Sequence, residues 1–144
     1  MGSTPGVTAV AIDLDGALGD TRRLWQDWLE DARRRARVDV DALDEELPNW
    51  RQLLQRFAEE RAPVYLRPDA EASAALRRLQ GAGTRIGVFT TAPEELARIA
   101  LAQLGAARRV EALETGEGAL EKLLTRLGPD ARVVRTRAEL VALR

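Results

Sequence analysis

Residues 7–16 read VTAVAIDLDG, and the fold prediction depends on this stretch. Residues 7–14 are short, β-branched and apolar on both faces, which is typical of a strand inside a parallel sheet. The dipeptide Asp15-Gly16 follows directly and is a turn signal. We therefore predict a buried parallel strand that leads into a turn carrying acidic residues.

Asp13 and Asp15 form a pair of carboxylates at the end of this strand. Strand alternation directs both side chains the same way, and like charges so close together repel unless a cation neutralises them. Mg²⁺ would do so, because it prefers carboxylate and carbonyl oxygens together with water and substrate phosphate. One carboxylate would then be a nucleophile toward phosphorus and its neighbour a general acid and base. The alternative is structural: two acids that cap a turn and the following helix.

Downstream of residue 67, apolar segments of helical and strand periodicity alternate. Helices are predicted over 69–80, from 93 to about 105, over 118–127 and after Thr136, and strands over 84–90, 109–113 and 131–135. Such alternation predicts an α/β fold, a Rossmann-like parallel sheet sandwiched by helices, with right-handed crossovers. We assign residues 1–20 and 67–144 to this core.

Residues 21–66 interrupt the alternation with two or three helices and no convincing strand. We predict a small all-helical cap inserted over the carboxyl edge of the sheet, where open α/β sheets bind their ligands. All three tryptophans, Trp25, Trp28 and Trp50, lie in this segment. They form either a packed core between the cap helices or an aromatic wall beside a substrate cleft.

The amino-acid composition excludes several kinds of catalytic and structural site. The 144 residues are 45% hydrophobic and 31% charged, as in a single globular domain. Without cysteine or histidine, the chain has no disulfide, thiolate nucleophile, zinc ribbon or imidazole base. The net charge of −1 argues against nucleic acid and anionic lipid as partners. With neither a long apolar run nor a secretory leader, we expect a cytoplasmic protein that does not bind membranes.

Three features together, AIDLDGALGDT, a helical insertion and GVFTTAPEELARIALAQLG, resemble the haloacid dehalogenase (HAD) superfamily, whose first motif reads hhhhDxDGTLxD. The resemblance covers nearly the whole chain and is to the phosphoglycolate-phosphatase-like branch with a short helical cap. It implies a HAD-like hydrolase, an Mg²⁺-dependent phosphatase of a small phosphomonoester that forms an aspartyl-phosphate. The threonine of the family's DGT is Ala17 here.

The resemblance also implies roles for individual residues. Asp13 matches the aspartate that becomes phosphorylated, and Asp15 matches the acid/base aspartate. Thr90 matches the second-motif hydroxyl that hydrogen-bonds the transferring phosphoryl group. Gly16 and Thr91 stand at the other phosphate-binding positions, and Thr91 is also expected to cap the next helix.

The third and fourth motifs depart from the family pattern. Glu117 stands where the family has a lysine, and Lys122, the only lysine of the chain, lies about one turn further on. Lys122 is either a surface residue or the substitute for that catalytic lysine. In the fourth motif, Arg135 replaces the first acid, whereas Glu139 matches the second and would complete a metal site with Asp13 and Asp15.

Arg135 puts the magnesium site in doubt. An inward guanidinium about 5 Å from Mg²⁺ would be repelled by roughly 7 kcal/mol at an effective dielectric near 20. It would instead pair with the two aspartates and replace the charge of the metal. Extended into solvent, it would have a much smaller effect.

Two functions follow from these observations. The first is the phosphatase, with a small phosphorylated molecule as its partner. The second is a catalytically impaired protein of the same fold that acts as a binding or regulatory module. Because a reduced cap often accompanies a second subunit over the cleft in this family, the resemblance also leaves a homodimer open.

Overall fold

The computed structural model describes residues 7–143, so residues 1–6 of the predicted core and Arg144 lie outside the description. Its sheet has four parallel strands in the order β3-β2-β1-β4. The strands are β1 (Ala9–Asp13), β2 (Arg85–Thr90), β3 (Ala112–Thr115) and β4 (Arg132–Val134). This architecture confirms the predicted α/β fold.

Seven α-helices occur within residues 7–143. They are α1 (Arg22–Ala36), α2 (Leu43–Glu46), α3 (Trp50–Tyr65), α4 (Ala70–Gly81), α5 (Glu94–Gln103), α6 (Ala119–Leu127) and α7 (Arg137–Ala142). In this described part, no helix has the length and apolar character needed to cross a membrane.

Helices cover both faces of the sheet because β1 and β2 are apolar on both sides. Val10 and Ile12 of β1 belong to the cluster that contains residues of α4, α5 and α7. Ala9 and Ala11 face the opposite way and share a cluster with Leu123 of α6. The sheet is therefore sandwiched by helices, as predicted.

Gly87 of β2 allows α6 to approach the sheet closely. A β-carbon at this position would lie 2.7 Å from a methyl group of Leu123 and 2.8 Å from one of Leu127. Both leucines are buried. Only the smallest residue fits here without moving the helix.

Residues 21–66 form three α-helices, α1, α2 and α3. Ring centroids of Trp25, Trp28 and Trp50 lie 5.6 to 6.1 Å apart, and they share a buried cluster with Leu96 of α5. The tryptophans therefore pack against one another in the core between the cap helices, and Trp28 also lines a surface cavity together with Leu47 and Phe57. The division into a core and a cap at residues 20/21 and 66/67 stays a prediction.

All four strands are shorter than predicted, and β1 and β2 lose only residues at their ends. β3 begins at Ala112 and not at residue 109, because residues 107–109 form a 3₁₀ turn. β4 ends at Val134, so Arg135 lies just beyond the sheet.

Candidate active site

Three strands end at the same edge of the sheet and bring together three polar side chains. Asp13 ends β1 and is paired in register with Phe89, the residue before Thr90. Ile12 is paired with Val134, so Arg135 follows β4 beside Asp13. Because the strands are parallel, Asp13, Thr90 and Arg135 lie at one carboxyl edge, where ligand sites of such sheets are found.

A tight loop after β1 is locked against the end of β4. Gly16 has a φ of +118°, and a β-carbon there would lie 2.7 Å from the carbonyl oxygen of Arg135. The loop is closed by two backbone hydrogen bonds, from Gly16 N to Gly19 O at 2.8 Å and from Gly19 N to Leu14 O at 3.0 Å. Gly16 is therefore required by both its backbone conformation and the available space.

The loop holds Asp15 between two buried threonines. Oδ1 of Asp15 accepts hydrogen bonds from the backbone N–H of Thr21 at 2.7 Å and from the Thr21 hydroxyl at 2.8 Å. Oδ2 accepts a hydrogen bond from the Thr90 hydroxyl at 2.8 Å. Thr21 is only 1% exposed and Thr90 only 2%. Asp15 is thus fixed both to the start of α1 and to the end of β2.

Thr90 also organises the turn before α5. Its hydroxyl oxygen accepts a hydrogen bond from the Ala92 N–H at 3.2 Å while the hydroxyl donates to Asp15. The expectation that Thr91 caps α5 is wrong: Pro93 occupies the N-cap position, α5 has no side-chain cap, and Thr91 is exposed.

Asp13 has one oxygen bound to the backbone and one facing a cation. Oδ1 accepts the N–H of Asp15 at 3.1 Å, and Oδ2 lies 3.7 Å from Nη1 of Arg135. Burial, aided by the charge of Asp15, raises the pKa of Asp13, although the Asp15 N–H, Arg135 and Arg22 act to lower it. The negative charge of Asp15 and the positive charge of Arg135 therefore act on the pKa of Asp13 in opposite directions.

Arg135 points toward the acid pair and not away from it. Its guanidinium carbon lies 5.5 Å from the ring centroid of Phe89, and its side chain is 57% exposed. This is the inward of the two orientations that the sequence left open. An ion pair this exposed contributes only about 0–1 kcal/mol to stability, so its importance is electrostatic and local.

Thr21 and Arg22 were missed by the sequence analysis. Thr21 directly follows the first motif. Its place as a polar residue immediately before a helix is the signal that could have identified it. Arg22 is exposed and pairs with Asp20, with its Nη2 at 2.6 Å from Oδ2. Because Arg22 acts on the pKa of Asp13, it adds a second positive charge near the acid pair.

Lys122 forms no ion pair with the acid pair. It is exposed on α6, whose buried face contains Ala119, Leu123 and Leu127. Lys122 has no ion-pair partner among residues 7–143. That Lys122 substitutes for the family's catalytic lysine stays a prediction, as does the alternative that it is a surface residue.

Glu139 is also separated from the acid pair. Its backbone N–H donates to the Thr136 hydroxyl oxygen at 3.1 Å, and its Oε1 accepts from the same hydroxyl at 3.1 Å. Thr136 therefore caps α7, as predicted, and uses Glu139 to do so. Glu139 lines a surface cavity with Val7 and Arg132, which mark the amino ends of β1 and β4.

These positions do not fit a magnesium ion. Asp13, Asp15 and Glu139 were predicted to hold it, but no three acidic side chains cluster anywhere in residues 7–143. Both Asp15 oxygens accept hydrogen bonds from the protein, and a guanidinium faces the free oxygen of Asp13. The predicted ligand set is corrected accordingly, because Glu139 caps a helix and Arg135 stands near the acids instead.

Similar solved structures share this architecture. A protein from Thermotoga maritima assigned as a beta-phosphoglucomutase is 22% identical, with a TM-score of 0.55, covering 92% of this chain and 79% of that one. A hydrolase from Streptococcus pneumoniae TIGR4 is 17% identical, with a TM-score of 0.47 and coverage of 84% and 76%. No protein-family model and no curated protein sequence matches the chain significantly. From the first of these similarities and the strand order, we conclude that the chain has the haloacid dehalogenase-like fold that its sequence predicts.

Proposed function

We propose that the site at the carboxyl edge of the sheet hydrolyses a small phosphomonoester through an aspartyl-phosphate. The observation that carries this proposal is the arrangement of Asp13 and Asp15. Asp13 keeps one oxygen, Oδ2, free of hydrogen bonds to the protein and turned toward Arg135, while Asp15 is fixed two residues away by Thr21 and Thr90.

In the first step, Oδ2 of Asp13 attacks phosphorus. The bond between phosphorus and the ester oxygen breaks, and Asp15, which must enter this step as the carboxylic acid, gives its proton to the leaving oxygen. Before it can do so, Asp15 must exchange one of its three hydrogen bonds for a contact with the substrate. The Thr90 hydroxyl, once that exchange releases it from Asp15, helps to position the phosphoryl group, and positioning is most of what phosphoryl transfer requires.

In the second step, water attacks the phosphorus of the aspartyl-phosphate. Asp15 accepts the proton from water, and the bond between phosphorus and Oδ2 of Asp13 breaks. Inorganic phosphate leaves, Asp13 is again a carboxylate, and Asp15 is again the carboxylic acid with which the first step began. The step requires no group other than water and the two aspartates.

A second candidate is a binding or regulatory module that holds a phosphorylated molecule without turning it over. It is favoured by the hydrogen bonds that occupy Asp15 and by the lack, within residues 7–143, of an ion pair between Lys122 and either aspartate. In this case Asp13 and Arg135 would serve recognition only.

Hydrolysis of a generic aryl phosphate by the purified protein separates the two candidates. We expect turnover by the wild type and none by Asp13→Asn, because the amide is not a nucleophile toward phosphorus. Asp130→Asn is the matched control: Asp130 is exposed and forms no hydrogen bond or ion pair within the described range. Absence of turnover by the wild type over a panel of phosphomonoesters, with EDTA and with Mg²⁺, would overturn the hydrolase and leave the binding module.

A further inference from the structure

We propose that Arg135 is the resident cation of this site, and that the site therefore binds a phosphate dianion without a divalent metal. The inference deepens the proposed function and rests on the same site receiving a phosphoryl group. It assigns to Arg135 the charge neutralisation that a metal ion provides beside paired carboxylates elsewhere.

The backbone fixes where Arg135 begins. Pairing of Ile12 with Val134 places Arg135 beside Asp13, and contact with Gly16 leaves its carbonyl little freedom to move. Both restraints come from the main chain, so they do not depend on the rotamer of the arginine. The guanidinium is thus anchored within reach of the acid pair.

The guanidinium of Arg135 is held near Asp13 but still has unused hydrogen-bond donors. It lies over the Phe89 ring at 5.5 Å and has Asp13 as its ion-pair partner at 3.7 Å. Within residues 7–143 it donates no hydrogen bond to another side chain or to the backbone. Several of its five N–H donors therefore remain available to the oxygens of a phosphate, which a guanidinium binds through two parallel hydrogen bonds.

Arg135 is placed where it attracts an anion and repels a metal ion. A phosphate dianion that approaches Asp13 is repelled by that carboxylate, and the positive charge of Arg135 offsets part of this repulsion. A magnesium ion is repelled by the same guanidinium, which faces the one Asp13 oxygen that accepts no hydrogen bond from residues 7–143. Arg22 also acts on Asp13, but its charge is balanced by its own pair with Asp20.

A calorimetric titration with inorganic phosphate in the presence of EDTA tests whether the site binds an anion without a metal. We expect the wild type to bind phosphate saturably, with an affinity that Mg²⁺ does not increase. Arg135→Gln should bind phosphate at least about tenfold more weakly, because a charge-assisted hydrogen bond is lost. Arg132→Gln is the control, because Arg132 is also an exposed arginine and lies three residues earlier, at the start of β4, and this variant should bind within twofold of the wild type. Unchanged binding by Arg135→Gln, or wild-type binding only with Mg²⁺, would overturn the inference.

Titration with Mn²⁺ as a spectroscopic substitute for Mg²⁺ tests the metal half. Arg135→Asp should bind Mn²⁺ at least tenfold more tightly than the wild type, and Arg132→Asp should not. Equal affinity of the wild type and Arg135→Asp would contradict the inference. Circular dichroism and the melting temperature establish that each variant is folded, and Arg135→Gln serves in place of Arg135→Asp if the latter is not.

These measurements separate failure of the inference from failure of the hydrolase. A wild type that binds phosphate in EDTA but turns over no substrate removes the proposed hydrolysis and retains the role of Arg135. A wild type that hydrolyses substrate only with tightly bound metal retains the hydrolysis and removes that role.

Discussion

Gly16 is in such close contact with Arg135 that any β-carbon on the glycine would lie 2.7 Å from the arginine's carbonyl oxygen. This contact joins the loops that follow β1 and β4, the two strands that contribute Asp13 and Arg135 to the site. Its contribution to the stability of the protein can be measured with glycine substitutions.

Gly16→Ala should lower the free energy of unfolding by about 2–4 kcal/mol, because it combines a strained positive φ with a collision against backbone. Gly83→Ala is the control: Gly83 also has a positive φ, +83°, but nothing lies within 4 Å of its β-carbon position. Urea denaturation of both variants makes the comparison. Equal losses would mean that the contact with Arg135 relaxes at no cost.

Asp13→Asn should raise the melting temperature at pH 7. The pKa of Asp13 is raised in the folded protein from its ordinary 3.8, so the folded state binds more protons than the unfolded state above that value. Stability is therefore lost as the pH rises through the window between the ordinary and the raised pKa. The asparagine has no such cost and still accepts the N–H of Asp15.

Thermal melts at pH 7 and pH 3 check the sign of this effect. The advantage of Asp13→Asn should shrink at the lower pH, where the wild-type carboxyl is protonated in both states. Asp130→Asn, at an exposed position, should show no such trend. A variant that is less stable than the wild type at pH 7 would show that pairing with Arg135 outweighs burial.

Thr90→Val should be more damaging than Thr21→Val. Replacing the Thr90 hydroxyl leaves Asp15 Oδ2 without its protein donor and the buried Ala92 N–H without its acceptor, a cost of about 1–3 kcal/mol for an unsatisfied group. In Thr21→Val, the backbone N–H still donates to Asp15. Urea denaturation measures the loss of stability in each variant, and calorimetry with inorganic phosphate measures the loss of phosphate affinity. Thr90→Ser should restore both quantities toward the wild-type values. The opposite order would mean that the Thr21 hydroxyl is the main restraint on Asp15.

Gly87→Ala should destabilise the sheet by about 1–3 kcal/mol, because the added methyl group overlaps buried Leu123 and Leu127 of α6. Gly81→Ala, at the end of α4 with nothing within 4 Å, should be neutral or slightly stabilising. The free energies of unfolding in urea make the comparison. If Gly87→Ala were as stable as the wild type, α6 would have room to shift outward.

The convergence of Asp13, Asp15 and Thr90 was predictable because it follows from parallel strands that end at one edge. The direction of the Arg135 side chain was not, since it depends on packing beside Phe89 of β2 and on the ion pair with Asp13 of β1. The positions of Lys122 and Glu139 depend on which face of a short helix each one occupies. A shift of one residue in a helix turns a side chain by about 100°, and motif spacing does not resolve such a shift.

The packing of Trp25, Trp28 and Trp50 against one another gives the molecule a built-in optical reporter. All three indoles of the chain belong to α1 and α3, and none lies in the sheet or in the helices that flank it. Intrinsic fluorescence therefore follows the packing of α1 and α3, including their contact with Leu96 of α5, whereas far-ultraviolet dichroism follows the whole fold. Coincident curves would identify one cooperative unit, and an earlier fluorescence transition would reveal that the inserted helices open first.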